Sequence, residues 1–385
     1  MTFAFKFCLA SSLLATAIPA MAQVSERSDD QEIVVTATRL EDTQRRLEEC
    51  LARKCPPDED INATLAHVEN QFVEGEYKDA RTTLLASMSR NGKQAKNYPE
   101  PVADLNRANG RVAAHLGFEN DYYSSTWGIL RALKAGIPTK DVRHFSAQLE
   151  IAEMMASVRG PRAAKIVYAD LARDAKKAGR KDIAALAELR TIWLDYLEFP
   201  GGSATQKLTL LSRSTDPAAK SSALAAKVLL ARIARHEGRA DATDTLIKDM
   251  AAMGLQKPTL LYSPRWELVQ QGNDDGINML RRTATDTFED KWIDVGYFIE
   301  ADGRVGDLEI LRKSGETGWA KPLLTSIKGR VFSPTDPTQG GFYRVERYTY
   351  TSRFEDRLGT RIKQRSAQGR VEYLDLTMDA PKPAS

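Results

Sequence analysis

Histidine, cysteine and net charge are all scarce in this sequence. Four histidines, His67, His115, His144 and His236, are scattered through 385 residues, with no Glu-x-x-His pair and no His-x-x-x-His. That spacing puts no ligand set on one helix face, so each reads as a surface or groove residue and no metal centre is expected. There is no G-x-S-x-G elbow, no P-loop and no G-x-G-x-x-G following a strand, so neither hydrolase nor nucleotide chemistry is signalled. The expectation is a protein that is not an enzyme and needs no cofactor. With 55 basic and 52 acidic residues the formal charge is only +3, which provides no field for nucleic acid.

Long apolar runs are also missing. The one candidate, Phe7 to Ile18, follows Lys6, is broken by Pro19 and closes on Ala20-Met21-Ala22. It is too short to span a bilayer but has the three parts of a secretory leader, so residues 1–22 are read as a signal peptide cleaved after Ala22. No later stretch approaches the roughly 20 apolar residues of a spanning helix. Cys8 falls inside the leader. That leaves Cys50 and Cys55, which in an exported chain suit a disulfide clip beside Pro56-Pro57. Their spacing is not that of a Cys-x-x-Cys redox motif.

The remaining chain divides by pattern. Residues 23–59 read as a flexible arm, interrupted by one strand-former, Glu32-Ile33-Val34-Val35-Thr36-Ala37, with three β-branched residues in a row. Residues 60–254 are rich in Ala, Leu, Lys, Arg and Glu, good helix formers. Within them Gly75 precedes Tyr77 and Ala80, Gly110 and Gly117 stand seven apart, Gly160 precedes Ala163 and Tyr168, and Gly238 precedes Ala240. Small residues let paired helices approach, and glycine permits the turn between them. The pattern resembles a degenerate tetratricopeptide repeat, although Gly75 and Gly117 are 42 apart rather than 34; one helical domain without true repeats is the alternative. Aromatics such as Tyr122, Tyr123, Trp127, Trp193 and Tyr196 are expected mostly in its core. Residues 255–284, with Pro258, Pro264 and Gly272-Asn273-Asp274-Asp275-Gly276, read as a linker.

Beyond the linker the period becomes two. Ile293, Val295, Tyr297 and Ile299 alternate with polar residues, Asp302-Gly303 makes a turn, and a second strand runs from Val305 to Arg312. Ser314-Gly315 ends it. A short helix bearing Trp319, Leu323, Leu324 and Ile327 follows, then Phe332-Ser333-Pro334 and a strand from Phe342 to about Phe354. The fold class is therefore α+β: a helical solenoid followed by a small ββαβ domain.

In their order, Asp302-Gly303-Arg304-Val305, Lys313-Ser314-Gly315, the apolar helix, Phe332-Ser333-Pro334 and the closing strand resemble the TonB C-terminal domain family over residues 285–355. The resemblance implies a periplasmic domain that binds proteins by strand addition, a guest strand pairing with the edge of the last strand. Carried over, Tyr343, Arg344, Val345, Arg347, Thr349, Thr351 and Arg353 would form that edge, with the arginines also guarding it against promiscuous pairing. Glu32 to Ala37 resembles the TonB box of TonB-dependent receptors and would dock on such a domain. The implied partners are a receptor of that kind or a TonB complex component, in an adaptor for TonB-dependent transport. An envelope scaffold with no part in transport is the competing expectation. Residues 356–385, with Arg357, Arg361, Lys363, Arg365 and Arg370, read as a basic, solvated, mobile tail.

Overall fold

Alternating helices with apolar faces can bury those faces only by stacking, and the computed structural model shows that stack. The structure describes residues 39–251, 257–266, 288, 291–335, 341–356 and 363–377. The leader and the Glu32–Ala37 segment lie outside them.

Eleven helices precede the sheet among the described residues: α1 (Leu40–Ala52), α2 (Pro57–Val73), α3 (Tyr77–Asn91), α4 (Pro99–Leu116), α5 (Glu119–Gly136), α6 (Val142–Val158), α7 (Pro161–Lys177), α8 (Lys181–Glu198), α9 (Gly202–Ser212), α10 (Lys220–His236) and α11 (Asp244–Ala251). Each packs on the next, and α2 touches α4 as α8 touches α10, the pattern of hairpins stacked in a row. The inner helices start at residues 57, 99, 142, 181 and 220, a period near 40 rather than 34. Gly75, Gly117, Gly160 and Gly238 occupy hairpin turns at φ between 83° and 94°, a conformation costly for any other residue. None of the described helices is long and apolar enough to cross a membrane.

The C-terminal part holds β1 (Leu260–Tyr262), β2 (Trp292–Ile299), β3 (Val305–Ser314), α12 (Lys321–Lys328), β4 (Val331–Phe332), β5 (Phe342–Asp356) and β6 (Lys363–Asp375). Four antiparallel strands run in the order β3-β2-β5-β6, and β1 pairs with β4 alongside. The expected inward row, Ile293, Val295, Tyr297 and Ile299, is fully buried against Leu323 and Ile327 of α12. Gly315, at φ 66°, ends β3 where the sequence placed the break.

Three expectations about boundaries need correction. The arm of residues 23–59 includes a helix, because Thr43, Leu47 and Cys50 recur at helical spacing and are buried against α2. The linker of residues 255–284 contributes β1, which closes a small ladder with β4. The tail of residues 356–385 is no solvated run in its middle: Lys363–Asp375 forms the last strand of the sheet.

Candidate functional site

The sheet is docked on the helical array, and the seam holds a cluster of buried polar side chains, among them His115, Asp294, Arg347 and Thr349. Arg347, on β5, is 0% exposed. Its Nε lies 2.5 Å from Asp294 Oδ1 and its Nη2 2.8 Å from Oδ2, a bidentate pair. Nη1 and Nη2 also donate to the Phe72 and Val73 carbonyls, each at 2.7 Å. Those carbonyls belong to the last turn of α2, where the negative end of the helix dipole lies; Phe72 O also accepts from the Gly75 amide at 3.0 Å. The guanidinium lies over Trp292, 3.8 Å from the ring centroid. Arg312 on β3 adds a bond to the Val73 carbonyl at 2.9 Å, and Arg370 on β6 donates to the Ala114 carbonyl near the end of α4 at 3.0 Å. Arginines of the sheet thus cap two inner helices.

The turn glycines are where the two parts touch. A Cβ at Gly75 would overlap the Trp292 indole, and one at Gly117 would overlap the Ser352 carbonyl. The Phe354 amide donates to the Gly117 carbonyl at 3.1 Å, and the Phe354 ring stacks on Phe118 with centroids 5.1 Å apart. Thr349 Oγ1 sits 2.9 Å from both the Tyr77 hydroxyl and His115 Nδ1. Burial pushes His115 down to about 3, with Arg111, Arg347 and Arg370 adding to the effect, so it is neutral at pH 7. The Tyr77 hydroxyl is raised by burial. A void of about 20 Å³ beside these residues has room for one water.

On the opposite face of the sheet Glu346 is buried among Arg330, Arg344, Tyr297, Tyr348 and Tyr373. Arg330 Nη1 bonds Glu346 Oε2 at 2.7 Å and the Tyr297 hydroxyl at 3.0 Å, and the Tyr348 and Tyr373 hydroxyls donate to the same carboxylate. Burial alone would raise Glu346, but Arg330, Arg344 and the Tyr348 hydroxyl together hold it below the usual carboxylate range. This cluster fixes the module's interior around one charge-balanced centre.

The residues assigned to guest binding occupy different places. Tyr343, Arg344, Val345, Arg347, Thr349 and Thr351 lie on a strand paired to β2 on one side and to β6 on the other, and Arg353 sits at an irregularity within the same ladder. From Val345 to Asp356 the edge expected to be open is closed by the chain's own β6. Nor are the three arginines edge guards: Arg347 caps α2, Arg344 pairs with Asp375 at 2.6 Å, and Arg353 pairs with Glu119 of α5 at 3.2 Å. Cys50 and Cys55 are joined as a disulfide, Cα atoms 5.2 Å apart, tying the end of α1 to the start of α2. His67, His115 and His144 are buried rather than on the surface; His67 lies 3.1 Å from Thr43 Oγ1. No group of three or more potential metal ligands occurs among the described residues.

The signal for the seam was present as the glycines at residues 75 and 117 together with arginines on an alternating strand. A turn glycine and a docking glycine look alike in sequence. The partner positions Trp292, Asp294 and His115 stand far apart along the chain.

No family model matches this sequence, and no curated protein matches it. Among solved structures, BtubC (BKLC) from P. vanneervenii aligns with a TM-score of 0.42 at 12% identity, covering 62% of this chain and 98% of that one. The apo form of RapI aligns with a TM-score of 0.34 at 14% identity, covering 54% and 72%. Likeness at this level carries no information about function.

Proposed function

We propose that this chain is a protein-binding scaffold of the bacterial cell envelope, in which the helical array presents the binding surface and the TonB-like module braces it. One observation carries the reading: β5 is an interior strand, and its Arg347 is spent on holding α2. A domain that receives a guest on its last strand needs that strand open, whereas a brace needs it docked. Export to the periplasm is supported by the leader-like first 22 residues and by the Cys50–Cys55 disulfide, a bond that persists in oxidising compartments. The reading gives the chain no catalytic role.

The test is fractionation and cross-linking of the full-length chain in its own cells. The expected result is a periplasmic protein beginning at Gln23 and cross-linked to another envelope protein through the array. A cytoplasmic protein retaining residues 1–22 would overturn the reading. Recovery chiefly of TonB-dependent receptors or TonB complex components would replace the scaffold with the transport adaptor.

A further inference from the structure

α1 opens the row of helices and is held to it by little apolar contact. Its buried residues are Thr43, Leu47 and Cys50. Neither Leu47 nor Cys50 belongs to the apolar cluster that joins α2 to α6, in which α2 takes part through Ile61, Val68 and Phe72. Glu41, Arg45, Arg46, Glu48 and Glu49 of α1 are exposed to solvent. Polar contacts supply part of the attachment. Thr43 Oγ1 donates to the Leu40 carbonyl at 2.9 Å and accepts from the Asn70 side-chain amide at 3.2 Å, and His67 Nδ1 lies 3.1 Å from it. Arg53 pairs with Glu59, both of them exposed. The covalent part is the Cys50–Cys55 disulfide.

α2 is held in place independently of α1. Its last carbonyls are capped by Arg347 and Arg312 of the sheet, and its apolar side belongs to the common cluster. The disulfide sits at the opposite, N-terminal end of α2, where solvent can reach it. Cys50 is 4% exposed, but Cys55 is only half-buried. Beside the pair a surface hollow of about 340 Å³ is lined by Arg46, Arg53, Glu59, Asn62 and Cys50 itself. Within the loop that the bond closes, Lys54 is kept at φ 54°, a left-handed conformation costly for a residue with a Cβ.

We propose that the Cys50–Cys55 bond is a redox latch: reduction by a dithiol frees α1 from α2, while the rest of the array and the sheet keep their fold. One thiolate of the dithiol attacks Cys55 Sγ, on the more exposed residue of the pair. A bond to Cys55 forms as the Cys50–Cys55 bond breaks, and Cys50 leaves as a thiolate that takes a proton from water. The second thiolate of the dithiol then attacks its partner sulfur in the mixed disulfide, and Cys55 leaves as a thiolate and is protonated in turn. The cysteine pair has gained two electrons, and the dithiol has become a disulfide. Without the bond Lys54 can relax, and α1, with 13 residues, is too short to hold its helix alone in water. The row then begins with α2, its flank at His67 and Asn70 bared. In an oxidising compartment the latch stays closed until a dithiol protein reaches it. The device goes beyond the scaffold reading and does not rest on it.

The experiment is amide hydrogen exchange and NMR titration of the full chain with and without dithiothreitol, with reduction verified by mass. On reduction the amides from Leu47 to Leu51 should exchange at least about tenfold faster, while those around Val112 of α4 and Tyr348 of β5 should not change. Burial holds the His67 ring below its ordinary value against the pull of Glu76 and Glu48. In the reduced chain that ring should titrate closer to the ordinary value. Replacing dithiothreitol by oxidised glutathione should restore both signals. The double variant Cys50→Ser with Cys55→Ser should show the fast exchange in α1 without reductant and no response to dithiothreitol. Unchanged exchange in α1 after verified reduction would overturn the latch. Acceleration that spreads to α4 and β5 would do the same, since the bond would then be a staple for the whole fold. Failure of the protection to return on reoxidation would also overturn it.

Discussion

Arg347 shows how one side chain can join two architectures. A fully buried guanidinium is stable only where its donors and its charge are met, and here a bidentate carboxylate, two helix-end carbonyls and an indole face meet them. Arg347→Met should therefore lower unfolding free energy by about 3 kcal/mol, because Asp294 keeps only Arg312 as a cationic partner and the Phe72 and Val73 carbonyls lose a buried donor. Arg347→Met combined with Asp294→Leu should cost less than the single change, as read by urea denaturation. His115 acts through what it does not carry. Its folded pKa of about 3 lies below the ordinary value near 6.5, so between those values the unfolded chain takes up a proton that the folded chain refuses. Its contribution is intact above pH 6.5 and shrinks as pH falls, by about 2 kcal/mol at pH 5. His115→Gln should flatten that part of the stability profile, and an unchanged slope between pH 7 and pH 5 would show that His115 is not its source.

At the scale of elements, equivalent turns have come to serve different ends. Gly75→Ala must strain a positive φ and push against Trp292, for about 2–4 kcal/mol in all. Gly160→Ala meets only the strain, about 1 kcal/mol. Comparison of their thermal midpoints checks that the difference comes from docking. A chain ending at Asp356 should lose several degrees of thermal midpoint and aggregate, since it strips β6 from β5 and removes Arg370 from α4. A solvated tail would predict no change. These cases show what the sequence could convey. Period two in Ile293 to Ile299 and the apolar helix around Leu323 were readable because each element declares its buried face locally. The helical array was readable from its composition and its turn glycines. The strand at Lys363–Asp375 was not, because its arginines, Arg365 and Arg370, find their partners on β5 and α4. Such pairing has no local signature. For the same reason the strand assigned to a guest, Tyr343 to Arg353, carried the right pattern in the wrong setting: alternation marks a strand but does not tell an edge from an interior.

For the whole molecule, the array and the sheet share one interior. Trp292 belongs to the same apolar cluster as Phe72, Tyr77 and Leu116, and Leu374 of β6 packs against it. Amides of α4 and β5 should therefore open together, with equal free energies in native-state hydrogen exchange. Separate openings would show that the two parts are independent domains.

A second tie runs from the far end of the array. Arg232 of α10 donates to the Leu260 carbonyl and, at 2.8 Å, to the Leu261 carbonyl of β1, and β1 is zipped to β4. Since the same module sits on α2 and α4, the path from array to sheet and back is a closed frame. Stacked-hairpin proteins without such a crossbar can flex like a spring and adjust their curvature to what they hold. If the array holds a partner as proposed, such a closed frame has its gauge set before that partner arrives, so little ordering cost remains to be met on association.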